Sequence, residues 1–501
     1  LFELDKLNVV HTIYAHAAYP SLLVQTIEAH NTGELDVILA LRPPLQNSTD
    51  FSTISSSLSL ENRTWLGQTL YAEVPNFPRP FVATCEYGPL EKLIPAGQRS
   101  TFSVLTTVGT SVGDSTESTN GNASLLQRTC GQLDELLVEG EMSLLQSHMK
   151  TWAARMETST IRGTGNDTFV GEIQSSLYYL RASFRPKWPF GLSPGGLSTN
   201  AYNGHTFWDQ DTWMAPIFAA LGHDEARSLI QYRLSRLPAA LHKAKRMGNN
   251  GIQYPWESGV TGVELTPQPN PEGDWEIHVS GDIVEFIRLY FYATDDMNWM
   301  KQFGFPVVSR VCEMWASRVT WNETLGEYTI LNVQPPDESA GLVNNSAYTN
   351  VLASMNLLFC LEVGDVLGIS IPDAEQWADI ASNMYVPTRH IPTGEIHDEY
   401  DNYDGHIINQ ADVGLLQYPL NVPISRDIAY RDLLYWTQKT NPDGYYTGDS
   451  AYAIGWLQLG ETQLAEVEFN KSFAHMEPPF NVWKEKVSGG NINFITGQIF
   501  G

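Results

Sequence analysis

The sequence is poor in positive charge: 30 Lys and Arg stand against 57 Asp and Glu in 501 residues, a formal net charge of −27. Nucleic acids and anionic membrane surfaces reward clustered cations, so neither is expected as a partner. Cysteine is scarce too. Cys85, Cys130, Cys312 and Cys360 form no C-x-x-C pair, which argues against zinc ribbons and dithiol redox sites. One disulfide in each half of the chain and four buried thiols both stay open. No run approaches the roughly 18 consecutive apolar residues that cross a bilayer. There is no H-E-x-x-H and no phosphate-cradling glycine loop ahead of a Lys, so zinc-peptidase and P-loop readings fall away. No fixed-period repeat supports a solenoid.

What is there suits large cores. The chain is 42% hydrophobic and 11% aromatic. Its length fits about two to four domains, or one large helical toroid with an appended domain. Residues 1 to about 130 read as β structure. VVHTIYAH, SLLVQTIEAHN, LDVILALRP, FVATCEYGP and STFSVLTTVGT are short β-branched and aromatic runs separated by Pro, Gly, Asn and Ser, the pattern of a sandwich. SVGDSTESTNGNAS, 111–124, reads as a loop. After it the apolar spacing becomes helical, first in LDELLVEGEMSLLQSHMKTWAARM and then to the end of the chain. The chain opens on Leu1 rather than Met, so an N-terminal truncation is expected and any signal peptide would lie outside it. Seven N-x-S/T sequons, at Asn47, Asn62, Asn122, Asn166, Asn322, Asn344 and Asn470, favour a secreted or lumenal compartment over a cytoplasmic one.

Five loops in the helical part combine carboxylates with aromatic rings: NGHTFWDQDTW (203–213), YPWESGVTGVELTP (254–267), VQPPDESAGLVNNSAYTN (333–350), EIHDEYDNYDGHIINQAD (395–412) and PPFNVWKEKVSGGN (478–491). Long, chemically loaded loops on a helical scaffold usually carry function. Trp and Tyr pack on the C–H faces of a pyranose, and Asp, Glu, Asn and Gln bind its hydroxyls. Cleaving a glycosidic bond needs two further carboxyls, one protonated and one ionised. Each candidate also has a plainer reading. Asp209 and Asp211 suit a cap on the helix expected near Thr212. Glu485, between Lys484 and Lys486, suits a solvated charge run. His205 suits a supporting or core role. Glu338, after Pro335 and Pro336, lies too early to cap the helix that follows it.

GHTFWDQDTWMAP, YPWESGVTGVELTP, EIHVSGDI, the DES…NNSAYTN loop, NQADV and PFNVWKEK…NFITG, in that order, resemble glycoside hydrolase family 65 over nearly all of residues 10–500. The resemblance implies a multidomain α and β fold: an N-terminal β-supersandwich (1–125), a helical linker (126–165) and an (α/α)6 barrel (166–501). It implies Glu338 as general acid and Glu485 as general base. Asp209 would bind the reacting glucose with Trp208 nearby, and Trp256, Glu257 and Gln410 would line the pocket. The expected substrate is an α-glucoside, with glucose released by inversion from an α-1,2-linked glucosylgalactosyl-hydroxylysine unit of a collagen-type glycan. No metal or cofactor is implied, and oligomeric state is not. Trehalose or kojibiose hydrolysis, phosphorolysis and an inactive sugar-binding protein are the alternatives. Three departures matter. The family's phosphorylases bind phosphate where its hydrolases place the base, so Glu485 favours water as the nucleophile. Asn409-Gln410 stands where the family's phosphorylases carry Lys-Gln. The family's longer Gly-rich stretch after NFITG and its small C-terminal β domain are not seen, so trimming at that end is expected too.

Overall fold

The computed structural model of the chain describes residues 2–4, 6–41, 49–59, 61–112, 121–158, 161–163, 167–196 and 201–485. The sequons at Asn47 and Asn166, the side chain of Asn122 and the NFITG segment lie outside the described residues. The chain divides into two units, Leu1–Ser159 and Thr160–Gly501.

The first unit holds β1 (Phe2–Leu4), β2 (Leu7–Ala15), β3 (Leu22–Asn31), β4 (Val37–Ala40), β5 (Phe51–Leu58), β6 (Asn62–Thr69), β7 (Phe81–Tyr87), β8 (Glu91–Ile94) and β9 (Arg99–Thr110). Seven of them form one antiparallel sheet in the order β1-β2-β3-β9-β7-β6-β5, while β4 and β8 pair apart. Among the described residues the β structure is therefore lopsided, a broad sheet faced by a two-stranded one. β3 shows why. Side chains alternate along a strand. Leu22 and Val24 point to one face, where they meet Leu133, Leu136 and Leu144 of the helices Gly121–Glu139 and Glu141–Thr158. Ile27 and Ala29 point to the other, where Ile94, Val37 and Leu39 of the small sheet cover them.

The helically spaced run LDELLVEGEMSLLQSHMKTWAARM forms two helices, broken at Gly140, which takes φ 78°. That left-handed conformation costs a glycine little and ends a helix. The first of the two helices also begins at Gly121, inside the stretch expected to be loop. Of the four cysteines, Cys85 and Cys130 are disulfide-bonded, and Cys312 and Cys360 are buried thiols. The bridge ties β7 to the helix that packs on it.

The second unit is a helical body. Its longer helices are Asp167–Ala182, His223–Ser235, Leu237–Met247, His278–Thr294, Phe305–Arg318, Ala347–Leu367, Arg426–Lys439, Asp449–Gln458 and Thr462–Ser472. No uninterrupted apolar run is present, yet one helix is long and apolar enough on average to cross a bilayer. Ala347–Leu367 has 21 residues and a mean hydropathy of 1.4 over its most apolar window. Its position accounts for this. It packs against His278–Thr294 and Phe305–Arg318, and it buries Asn350 and Asn356 along with its apolar side chains. A helix buried on most of its faces reads as apolar all round. Four of the five loops run between these helices, and the described part of the fifth, 478–485, follows the last of them.

Candidate active site

The opening loop is built around a buried ion pair. Arg233, 1% exposed, donates through Nε to Asp211 Oδ2 (3.0 Å) and through Nη2 to the Phe207 carbonyl (2.8 Å). Burial works against the guanidinium charge, and Asp211 outweighs it. These bonds bracket Trp208 and Asp209 on both sides. Asp211 is thus a structural anchor and not a helix cap. Asp209 precedes a π-type turn, Gln210–Met214, and its side chain caps nothing. Instead its carboxyl points inward. Burial, then Glu485 and Glu276, push its pKa well up.

A second loop docks on the first through paired backbone bonds between Thr206 and Ser258 (2.8 and 3.0 Å). Glu264 holds this second loop in shape. It accepts from the Trp256 N–H (2.9 Å), the Glu257 N–H (3.2 Å) and the Thr266 hydroxyl (2.7 Å), and it pairs with buried Lys243 (2.6 Å). The result is that Trp256 faces Phe207 edge-on at 4.9 Å and Glu257 meets His205 Nδ1 at 2.7 Å.

Glu276 is a further buried carboxyl beside Asp209 and Glu338 that sequence reasoning did not single out. It sits one turn before the helix His278–Thr294, whose first residue bridges Glu276 (3.1 Å) and Asp282 (2.7 Å). Burial opposes the His278 charge, but Asp282 and Glu276 outweigh it and push its pKa up to about 10. Tyr348 donates to the second oxygen of Asp282 (2.7 Å). Burial drives Glu276 up to about 7, with His278 and the Trp256 indole N–H holding it back. That N–H and Glu276 Oε2 are buried and make no hydrogen bond of ordinary geometry. Polar atoms left this way lose about 1–3 kcal/mol each unless something fills the site. They suit sugar hydroxyls.

The Glu338 loop is pinned from three sides. Val333 and Val343 exchange backbone bonds (2.8 and 2.9 Å). Gln334 donates to the Glu338 carbonyl (3.0 Å). Asp337 caps the short 3-10 turn Glu338–Ala340 by accepting from Ser339, and it also accepts from the Asn409 N–H (3.2 Å). Gln410 donates to the Pro336 carbonyl, so it shapes the acid loop. Glu338 is half-buried as a residue, yet protein surrounds its carboxyl. Burial, then Glu276, Glu272, Asp209 and Glu485, push its pKa well above the ordinary range.

Glu485 is 6% exposed, which rules out a solvated charge run. The neighbouring Lys484 pairs with Glu477. The Tyr202 hydroxyl donates to Glu485 Oε2 (2.8 Å), and Tyr446 N–H holds the Glu485 carbonyl (3.0 Å). Tyr202 and Asn203 take φ values of 61° and 52°, which non-glycine residues rarely adopt. Such strain costs of order 1–3 kcal/mol per residue and gathers at functional sites.

The structure thus brings Asp209, Glu338 and Glu485 together with Glu276, and Trp256 beside Glu276. Trp208 is buried against Trp213 (5.3 Å) and His278 (4.9 Å), beneath the pocket. Glu257 is engaged by His205, and Gln410 by Pro336. No sequence feature marked Tyr202, while Glu276 lies in EIHVSGDI, a stretch that carries the family resemblance.

Clustered carboxyls whose proton affinities burial and mutual repulsion raise, set among aromatic rings on a helical scaffold, fit a glycoside hydrolase. The chain belongs to glycosyl hydrolase family 65, whose central catalytic domain matches residues 175–406. It is 34% identical to protein-glucosylgalactosylhydroxylysine glucosidase of Dictyostelium discoideum, over 98% of this chain and 69% of that protein. It is 35% identical to kojibiose hydrolase of Flavobacterium johnsoniae, over 72% of this chain and 52% of that protein. A putative kojibiose phosphorylase from the human microbiome shares its fold, with a TM-score of 0.79 and 16% identity over 99% of this chain and 72% of that one.

Proposed function

We propose that this chain is an inverting α-glucosidase that releases the terminal glucose of a glucosylgalactosyl-hydroxylysine unit. The observation that carries the reading is the meeting of Asp209, Glu338 and Glu485, with Glu485 bearing on the protonation of both others and Asp209 on that of Glu338. Glu338 holds a proton because burial and like charges disfavour its ionised form, and it gives that proton to the leaving oxygen. Glu485, oriented by Tyr202, takes a proton from the water that attacks the opposite face of the anomeric carbon. Inversion calls for the two carboxyls to stand about 6.5–9.5 Å apart, so that this water fits. Asp209 and Trp256 hold the glucose ring.

The finer architecture belongs to the same proposal: a β-supersandwich over 1–125, a helical linker over 126–165 and an (α/α)6 barrel over 166–501. The relative from Dictyostelium discoideum, matched over 98% of this chain, supports the hydroxylysine-linked substrate. The kojibiose hydrolase match supports a second reading, hydrolysis of the free α-1,2-linked disaccharide. A secreted or lumenal location draws support from the Cys85–Cys130 bridge, which suits an oxidising compartment, and from the exposed sequon Asn470. Asn344 lies six residues after Glu338, where a glycan would crowd the site, and it is expected to stay unglycosylated.

The test is glucose release from glucosylgalactosyl-hydroxylysine, kojibiose, trehalose and maltose, each with and without phosphate. Release of β-glucose from the hydroxylysine glycoside, indifferent to phosphate, is the expected result. Preference for kojibiose or trehalose would move the assignment to that substrate. Dependence on phosphate would make the chain a phosphorylase.

A further inference from the structure

Behind the acid loop lies a second group of side chains that the hydrolysis does not use. One ligating atom each from Asp337, Glu399 and His406 lies within 4.8 Å of the others. Asp337 and Glu399 are 1% and 0% exposed, and His406 is half-buried, at the side facing solvent. Neither oxygen of Glu399 receives a hydrogen bond. Asp412, 0% exposed and next to Glu399, has an Oδ1 equally without a donor. The charges bearing on Glu399 are those of Asp412 and Asp337, both of its own sign. Buried carboxylates are retained when something neutralises them, either a proton or a cation.

His406 decides between the two. Its Nδ1 meets Asp404 Oδ1 at 2.8 Å. A ring nitrogen bonded to a carboxylate carries the hydrogen, so in the neutral ring Nε2 keeps the lone pair. Metal-binding histidines are held this way. A cluster that only shares protons has no use for a histidine so oriented. We propose that Asp337, Glu399 and His406 bind one first-row divalent cation, with Asp412 as a further carboxylate behind it. Ca²⁺ and Mg²⁺ prefer shells made of oxygen, whereas two carboxylates and an imidazole suit Mn²⁺ or Zn²⁺. The cation has a structural role. Asp337 caps the turn that presents Glu338, so fixing Asp337 fixes the general acid, and no chemical step passes through the metal.

The test uses the full chain, stripped with a chelator and dialysed into metal-free buffer. MnCl₂ or ZnCl₂ is added, free metal is removed by gel filtration, and the retained metal is measured by mass spectrometry alongside thermal unfolding. About one equivalent retained with a raised Tm is expected, and MgCl₂ and CaCl₂ should be retained far less. Glu399→Gln and His406→Ala should each weaken retention at least tenfold. Asp404→Asn should weaken it by about 10- to 100-fold. His223→Ala, at a histidine elsewhere on the surface, should leave it unchanged. Should Glu399→Gln fail to fold, His406→Ala, at the half-buried outer ligand, decides the matter. No retained metal would overturn the proposal, as would retention that neither variant changes.

Discussion

Glu338 and Glu485 are the same residue type, and the proposed reaction asks them for opposite states. Glu338 stands among Glu276, Glu272, Asp209 and Glu485 with no cation among its main influences, so it keeps its proton. Glu485 accepts from the Tyr202 hydroxyl. Glu338→Gln and Glu485→Gln should each lower kcat by about 10²- to 10⁴-fold, the usual worth of a general acid or base. The Tm should barely move in either. Added azide should partly restore Glu485→Gln, because a small anion replaces the activated water; turnover near the parent rate in either variant would remove both assignments. Tyr202→Phe keeps the ring and loses only the hydroxyl, so kcat should fall by about tenfold with KM nearly constant. Glu276 is the largest electrostatic contributor to the raised Glu338 pKa. Removing its charge makes ionisation of Glu338 easier. The alkaline limb of the pH profile of kcat/KM should therefore move to lower pH in Glu276→Gln, and an unmoved limb would mean that Glu276 does not act on the acid. These roles were unequally legible. Asp209, Glu338 and Glu485 stand in dense motifs. Tyr202 acts across 283 positions of sequence, and no local pattern announces that reach.

At the scale of elements, the order strands-then-helices was plain from the change in apolar period. The losses have physical causes. β5, FSTISSSL, is largely exposed on both faces and so lacks the alternation that marks a half-buried strand. β8 has only four residues. The helix Thr462–Ser472 buries few side chains and carries a weak stripe. The helix break at Gly140 was visible as a glycine but not as a boundary, since an isolated glycine is tolerated inside a helix. The loops were legible as functional and illegible as structures, because what shapes them is buried charge pairing between elements far apart in sequence. Arg233 comes from a helix, and the Phe207 carbonyl it holds lies 26 positions earlier in the chain. Arg233→Met leaves Asp211 buried without its partner and frees the Phe207 carbonyl. Breaking such a pair costs about 3–5 kcal/mol, so this variant should lose both Tm and turnover. The double variant Arg233→Met with Asp211→Leu removes both charges and should recover much of the Tm. Turnover should stay low, since Asp209 is still no longer bracketed. Recovery of both together would show that the pair contributes stability and does not place Asp209.

For the whole molecule, the acidic composition and the buried carboxyls act on stability in one direction. Glu276 rises from 4.5 to about 7 on folding, and Asp449, crowded by Glu468, from 3.8 to about 7. Burial is the first cause in both. Between the unfolded and folded values the native chain binds more protons than the unfolded one, so unfolding free energy falls as pH rises. These contributions are complete below about pH 4 and are lost as pH climbs through 7. His278, raised from 6.5 to about 10, has the same sign over a later window: its stabilisation is present below 6.5 and lost as pH rises through 10. Self-repulsion of a chain carrying a formal net charge of −27 adds to the trend, since it grows as the remaining carboxyls ionise. Each pKa unit is worth about 1.4 kcal/mol. Scanning calorimetry at pH 5, 6.5, 8 and 9.5 should therefore show a Tm that falls steadily, by at least a few degrees between pH 5 and 8. Glu276→Gln, which holds no titratable proton, should flatten the portion around pH 7, and because Glu276 also raises His278 the later fall should begin at lower pH. A Tm that is flat or rises from pH 5 to 8 would mean that these carboxyls fold as anions, and the proton that Glu338 is assigned would then lose its electrostatic basis.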